Sequence, residues 1–255
     1  IASNNRRTLG IGVTNLAYYL AKNDAKYSDG SGNDLIHKTF EALQYYSLKA
    51  SNKLAEELGP CPLFSETQYA KGIMPIDSYK KDIDAFCSTK LELDWDTLRK
   101  NIKSKGLRNS TLTALMPCES SSQISNSTNG IEPPRGFISV KQSKDGILKQ
   151  VVPEYEKLHK KYELLWDIKD NEGYLQLCAI MQKFVDQSIS TNTHYDPSQF
   201  EGSRVPMKLF LMDLLKAYKY GIKTLYYHTT RDGSGDDQNN TKQGDDDCED
   251  GVCKL

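Results

Sequence analysis

Leu107-Arg108-Asn109-Ser110-Thr111-Leu112-Thr113-Ala114-Leu115-Met116-Pro117 runs directly into Cys118-Glu119-Ser120-Ser121-Ser122-Gln123. From Asn109 to Pro117 apolar and small polar residues alternate, the two-residue period of a half-buried strand. Pro117 ends the pattern, and the serines that follow are residues that cap helices. The segment 118–122 therefore reads as a turn that leaves a strand and opens a helix. Free backbone N–H groups at such a turn, joined by short hydroxyls, suit a phosphate. Glu119 would repel an anion unless it points away. An ordinary serine cap explains the same residues, and both readings stay open. No Gly-x-x-x-x-Gly-Lys pattern occurs, which excludes a P-loop.

Upstream of that junction, Leu9, Ile11, Val13, Leu16 and Leu20 approximate the spacing of an amphipathic helix. Asn33 or Asp34 is placed to cap a second long helix carrying Leu35, Ile36, Phe40, Leu43, Leu54 and Leu58, which Gly59-Pro60 ends. A turn at Pro75 and short helices near 78–87 and 94–105 follow, with Gly106 just past the last. Downstream, Asn129-Gly130 and Glu132-Pro133-Pro134-Arg135-Gly136 mark turns, and Phe137-Ile138-Ser139-Val140 reads as a strand. Helices are expected over 153–166, 173–190 and 206–220, the last between Pro206 and Gly221. Ile222-Lys223-Thr224-Leu225-Tyr226-Tyr227 is a final strand. Strands separated by long helices, without an internal repeat, predict an α/β fold with a helix-covered sheet or barrel.

The chain has 255 residues and a net charge of −1, one large domain or two small ones. Near-neutral charge argues against a general nucleic-acid binder. No run of ~18 apolar residues is present, so no spanning helix is expected. The opening residues Ile1-Ala2-Ser3-Asn4-Asn5-Arg6-Arg7 lack an apolar signal core, so a cytoplasmic location is expected. The charge is uneven: residues 229–255 hold eight acids and three bases and carry −5, while residues 1–228 carry +4. The acidic segment has almost no aliphatic or aromatic residue before Val252, so it is expected to be disordered.

Two of the six cysteines, Cys248 and Cys253, nevertheless lie in that segment. Gly251 lets the backbone turn between them, so the loop is short enough to close into a disulfide. Read alone, the pair is either an exchange-competent dithiol or two incidental thiols. Cys178 sits in the apolar stretch Tyr174–Met181 and reads as a small core residue, and Cys61 and Cys87 read as structural or incidental. The four histidines (His37, His159, His194, His228) show no ligand spacing, and no metal site is expected. Tyr226-Tyr227 ends the last strand. In a regular strand one ring would be core and one surface; as a functional pair, two adjacent phenols could pass an electron hole along.

Taken together these segments resemble the C-terminal part of the large (alpha) subunit of class I ribonucleoside-diphosphate reductase. The resemblance spans essentially the whole chain. It rests on Arg6-Arg7-Thr8-Leu9-Gly10-Ile11-Gly12-Val13, Leu107–Thr111, Ala114-Leu115-Met116-Pro117, Ser121–Asn126, Thr128-Asn129-Gly130-Ile131-Glu132-Pro133-Pro134-Arg135-Gly136, Lys223–Tyr227, Arg231-Asp232-Gly233 and the Cys248/Cys253 tail.

The resemblance implies the later strands and helices of a ten-stranded α/β barrel over residues 1–228 and a flexible redox-shuttle tail over 229–255. It implies that Pro117, Cys118, Glu119, Ser120 and Ser121 bind the substrate diphosphate. Ser or Thr is usual where Cys118 stands, so there the contact is expected through the backbone. Tyr226 and Tyr227 would relay a radical from the small subunit to an active-site cysteine. Cys248 and Cys253 would reduce the active-site disulfide and be re-reduced by thioredoxin or glutaredoxin.

The implied cofactor, a metal and tyrosyl radical, belongs to the small subunit; this chain is expected to bind none. Nucleotide effectors are expected on an N-terminal part. The Asn-x-Cys-x-Glu context of the thiyl cysteine does not occur here. The chain is therefore expected to be inactive without an N-terminal partner portion, as a fragment or as half of a split subunit. The competing reading is a non-catalytic helical interaction module with an acidic tail.

Overall fold

The computed structural model describes residues 2–143, 146–231, 248–249 and 252–253. Its helices are α1 (Ala2–Arg6), α2 (Leu16–Lys22), α3 (Asn33–Leu58), α4 (Trp95–Lys105), α5 (Glu119–Ile124), α6 (Tyr155–Leu158), α7 (Glu172–Gln182) and α8 (Met207–Tyr220). Its strands are β1 (Ile138–Ser143), β2 (Gly146–Val151), β3 (Thr191–Tyr195), β4 (Leu225–Thr230), β5 (Cys248–Glu249) and β6 (Val252–Cys253).

The spine is α3. Its buried stripe runs Ile36, His37, Phe40, Glu41, Gln44, Leu48, Ser51, Asn52 and Ala55, the 3–4 spacing of one helix face. Several of these are polar, and each fastens a loop that has no ladder of its own. Glu41 accepts from the Glu92 and Leu93 amides and from the Trp95 indole. Asn52 donates to the Gly106 carbonyl, and Ser51 to Asn109. Leu54 and Leu58, expected on the core face, are 42% and 61% exposed. Against α3 packs α7, whose Tyr174, Leu175 and Leu177–Met181 are all buried. A Cβ at Gly173 would meet the Tyr27 carbonyl oxygen at 2.4 Å, so only glycine lets that loop close onto α7.

Four chain segments lie side by side. Ile11 bridges Thr113, Leu115 bridges Ile189, and β3 pairs with β4, every pairing parallel. Helices separate the segments in sequence, so the fold is α/β with a parallel array. The ladders are short and the sheets are not closed. The hairpin β1–β2 stands apart as an antiparallel pair.

The structure corrects several expectations. Residues 9–13 are extended, and the helix begins only at Leu16. The Ile11 amide donates to the Leu112 carbonyl, and a Cβ at Gly12 would come within 2.8 Å of the Ala114 carbonyl oxygen. Sheet pairing wins here because glycine weakens a helix by about 1 kcal/mol per residue. The helix expected over 153–166 is one turn, Tyr155–Leu158, with a 3₁₀ turn at Leu165–Asp167. Between them Glu163 turns back to accept from the Tyr27 and Ser28 amides. The helix expected over 173–190 ends at Gln182, where Lys183 and Asp186 turn inward. Over 109–117 only Thr113 and Leu115 form bridges, and the last strand runs Leu225–Thr230, starting later than Ile222 and not ending at Tyr226-Tyr227, because it pairs with Thr193–Tyr195 beyond them.

The α3, α4 and α8 spans and the start of α5 agree with the sequence reading, with Asp94 accepting from the Thr97 amide as the α4 cap. At α3 the cap position is Gly32, not Asn33 or Asp34, and Asp34 instead accepts from the Ser88 and Thr89 amides. Among the described residues no helix is long and apolar enough to cross a membrane. The expected disorder and the 228/229 boundary fall on a segment of which residues 232–247 lie outside the described residues.

Candidate functional site

The register of the array sets the site. Leu115 is level with Ile189 and Thr191 with Leu225. Residues 116–118, 190–192 and 226–228 thus follow their bridges at similar heights. The serine turn, Asn192 and the tyrosine pair therefore lie at one level across neighbouring segments, just past the Leu115–Ile189 bridge and where the β3–β4 ladder begins.

At the serine turn Cys118 is the residue before α5 (φ −136°, ψ 37°), and no side-chain cap bond closes the helix. The ordinary serine cap is therefore not what these residues form. Ser122 is buried and donates to the Glu119 carbonyl at 2.7 Å, tightening the turn. Pro117, Glu119, Ser120 and Ser121 are exposed. The half-buried Cys118 thiol points at the Val13 carbonyl, 3.6 Å away, and burial pushes its pKa up. Its side chain is committed to the scaffold as a neutral thiol. Behind the turn, Asn15 (φ 69°) accepts from the Thr128 amide at 2.9 Å and its own amide donates to the Thr128 carbonyl.

At the tyrosine pair the expected alternation fails. Thr191 pairs with Leu225, but Thr193 pairs with His228. Two residues, Tyr226 and Tyr227, therefore oppose the single Asn192, which is a β-bulge. The bulge cancels the face alternation and leaves both rings exposed, 48% and 58%, with centroids 4.0 Å apart. The Tyr227 amide donates to Asn192 Oδ1 at 2.9 Å, and Asn192 Nδ2 donates to Glu132 Oε1. Burial raises the Glu132 pKa against that hydrogen bond and against nearby Arg135. His228 Nδ1 lies 2.6 Å from Thr193 Oγ1, with its ring against Phe210.

On the other side of that bridge is a closed polar knot. Asp186 accepts from the Leu112 amide (2.8 Å), the Thr113 amide (3.0 Å) and the Tyr69 hydroxyl (2.9 Å). Gln44 donates to Tyr69, and Lys223 donates to the carbonyls of Asp186 and Gln187. Beside the knot lies a cavity of about 640 Å³ bordered by Arg6, Thr8, Thr111 and Lys223.

Cys178 is fully buried, its thiol pushed up to about 12 by burial, and Cys61 is buried too, as a structural reading requires. His194 is held neutral, its pKa lowered to about 4 by burial and then by Arg135. His37 is buried beside Lys183, Nε2 to Nζ 3.1 Å, and its Nδ1 has no hydrogen-bond partner. Among the described residues no group of His, Cys, Asp or Glu is arranged to hold a metal ion.

In the tail, β5 and β6 pair Cys248 directly with Cys253. Opposed residues of an antiparallel pair stand about 4.5–5.5 Å apart at Cα, within the span of a disulfide. Their side chains lie outside what the structure describes. Sequence reasoning passed over Asn192, because a lone asparagine in Thr191–Tyr195 carries no signal until its neighbours are known. Glu132 was visible only as part of a turn motif.

Residues 1–228 match the family described as "Ribonucleotide reductase, barrel domain". The chain is 66% identical over 252 residues to ribonucleoside-diphosphate reductase 1 subunit alpha of Escherichia coli K12. It is 67% identical over 250 residues to the corresponding Haemophilus influenzae subunit alpha and 53% over 253 residues to that of phage T4. Each alignment covers 98% of this chain and 33% of the relative. The chain thus spans about a third of the length of the curated relatives it matches.

Proposed function

The chain belongs to the ribonucleotide reductase barrel-domain family, and on that premise we propose that it supplies three parts of a ribonucleoside-diphosphate reductase alpha subunit. These are the substrate-diphosphate turn at Pro117, Cys118, Glu119, Ser120 and Ser121, the radical relay at Tyr226 and Tyr227, and the dithiol shuttle at Cys248 and Cys253. The four-segment parallel array is the later arc of a ten-stranded barrel, which the rest of the subunit closes.

The observation that carries the reading is the tyrosine pair, whose ring centroids stand 4.0 Å apart with the planes tilted by 46°. Each phenol, in losing an electron and its hydroxyl proton, refills its neighbour's vacancy, and ring contact keeps that step short. A radical-generating small subunit would supply the hole and hold the metal. The exposure of both rings suits a hole arriving from another chain. At the diphosphate turn, Ser120, Ser121 and the adjacent backbone amides would donate to phosphate oxygens, with the Cys118 side chain turned away. The direct pairing of Cys248 with Cys253 suits closure to a disulfide as two electrons leave for the active-site disulfide. Thioredoxin or glutaredoxin returns those two electrons. A flexible tail would let one dithiol visit both places.

The test is turnover of a ribonucleoside diphosphate by the complete alpha subunit with its small subunit. The Cys248→Ser/Cys253→Ser variant is expected to complete about one prereduced turnover and then stop with thioredoxin as reductant. Sustained thioredoxin-driven turnover by that variant removes the shuttle from the reading.

A further inference from the structure

Neighbouring residues of a regular strand face opposite ways, so two adjacent phenol rings can touch only where the strand is interrupted between them. The interruption here is a bulge in a parallel pair, where bulges are rare. A bulge leaves its extra residue off the ladder. The Tyr227 amide, turned off the ladder, instead donates to Asn192 Oδ1 at 2.9 Å.

We infer that Asn192 is a positioning residue whose side-chain amide holds the Tyr226–Tyr227 bulge and so keeps the two rings in contact. Its consequence for turnover rests on the proposed tyrosine relay; its consequence for ring geometry does not. A side-chain amide has two unlike ends, one accepting and one donating. Asn192 Nδ2 donates to the Glu132 carboxylate. A flipped amide would set an oxygen against that carboxylate and an N–H against the Tyr227 N–H, two repulsions in place of two hydrogen bonds. Glu132 thus fixes which end of Asn192 meets the bulge. Glu132 lies four residues beyond Thr128, the anchor behind the serine turn. One short chain of hydrogen bonds therefore ties the segment behind the diphosphate turn to the tyrosine pair.

The experiment uses the complete alpha subunit with three variants: Asn192→Ala, Asn192→Asp, and Asn192→Asp combined with Glu132→Gln. Crystal structures read the separation of the two rings, and the assembled enzyme reads kcat and KM for a ribonucleoside diphosphate. Asn192→Ala removes the brace. Asn192→Asp keeps an acceptor for the Tyr227 amide but sets two carboxylates together. The double variant restores both hydrogen bonds, because the new amide at 132 donates to the new carboxylate at 192. Both single variants are expected to part the rings and to lower kcat at least tenfold with KM unchanged, and the double variant to bring both back. Rings that stay together in Asn192→Ala overturn the inference whatever turnover does. If that variant does not fold, the other two decide, since they differ only at position 132. Rings that part in Asn192→Asp and stay parted in the double variant also overturn it. If the rings part and return as stated while Tyr226→Phe turns over normally, the relay reading falls and the positioning role stands.

Discussion

Asp186 and Asn192 stand six residues apart in one segment, on opposite sides of the Leu115–Ile189 bridge of the parallel array. On its side Asp186 takes two backbone amides and the Tyr69 hydroxyl, and Gln44, Thr113 and Lys223 complete the knot around it. The side chains there are committed to one another. On the other side Asn192 braces the Tyr227 amide, and what surrounds it faces outward: two half-exposed phenol rings and an exposed serine turn. The first arrangement resists change because the half-buried carboxylate already spends both oxygens on fixed donors. The second pins only the backbone and leaves reactive groups accessible. Polar residues on the two sides of that bridge thus do different work, holding the array together on one and, on the proposed reading, presenting chemistry on the other.

The sharpest break in that contrast is at the phenols. Replacing Tyr226 or Tyr227 by Phe keeps the ring and removes the oxidisable hydroxyl. Turnover by the complete enzyme is expected to fall by more than about 10³-fold, with substrate KM and the unfolding midpoint unchanged. A Phe variant with ordinary turnover contradicts the assignment of chemistry to this side.

Asp186→Asn tests the other side. The new amide turns an N–H toward the donors that Asp186 now accepts from. The expected loss is about 3 kcal/mol of stability, read by denaturant titration of the complete subunit, with KM unchanged. A stability loss under about 0.5 kcal/mol, the range of ordinary surface changes, would dissolve the distinction between the two sides.

His194 sharpens it by pH. Its pKa is lowered to about 4 in the fold, against about 6.5 unfolded. Between those values the unfolded chain binds the extra proton, so stability is full above the unfolded pKa and lost as pH falls toward the folded one. The shift is worth on the order of 3 kcal/mol at its limit. His194→Gln is expected to flatten the slope of stability between about pH 6.5 and 4, measured by the unfolding midpoint across that range.

The smallest effect is expected at the serine turn. Ser121→Ala removes one hydroxyl donor worth about 1 kcal/mol. KM for the diphosphate should rise about fivefold, with stability within about 0.5 kcal/mol of the parent. A larger loss of stability than of affinity would make the hydroxyl a scaffold group, like that of Ser122.

Much of the architecture was legible in the residue order because it depends on local signals. Pro206 and Gly221 bracket α8, Gly59 closes α3, and Asp94 opens α4. The serine turn was legible for the same reason, as a strand period stopped by Pro117. The errors fall where distant partners overrode local spacing. Residues 9–13 have helical apolar spacing but are held extended by Thr111–Ala114. Residues 159–164 lose their helix because Glu163 binds the loop at Tyr27 and Ser28.

By itself the sequence determined which residue types were on hand: a phosphate-suited turn, two adjacent phenols, a tail dithiol and the order of helices and strands. These follow from composition, turn chemistry and motif, each read within a few residues. Tertiary structure alone decided whether the phenols touch. Period-two alternation would have parted them, and only a bulge opposite Asn192, with its amide oriented by Glu132 from sixty residues away, sets the rings 4.0 Å apart. An asparagine's worth depends on what its two ends face, and that is set by chain segments remote in sequence.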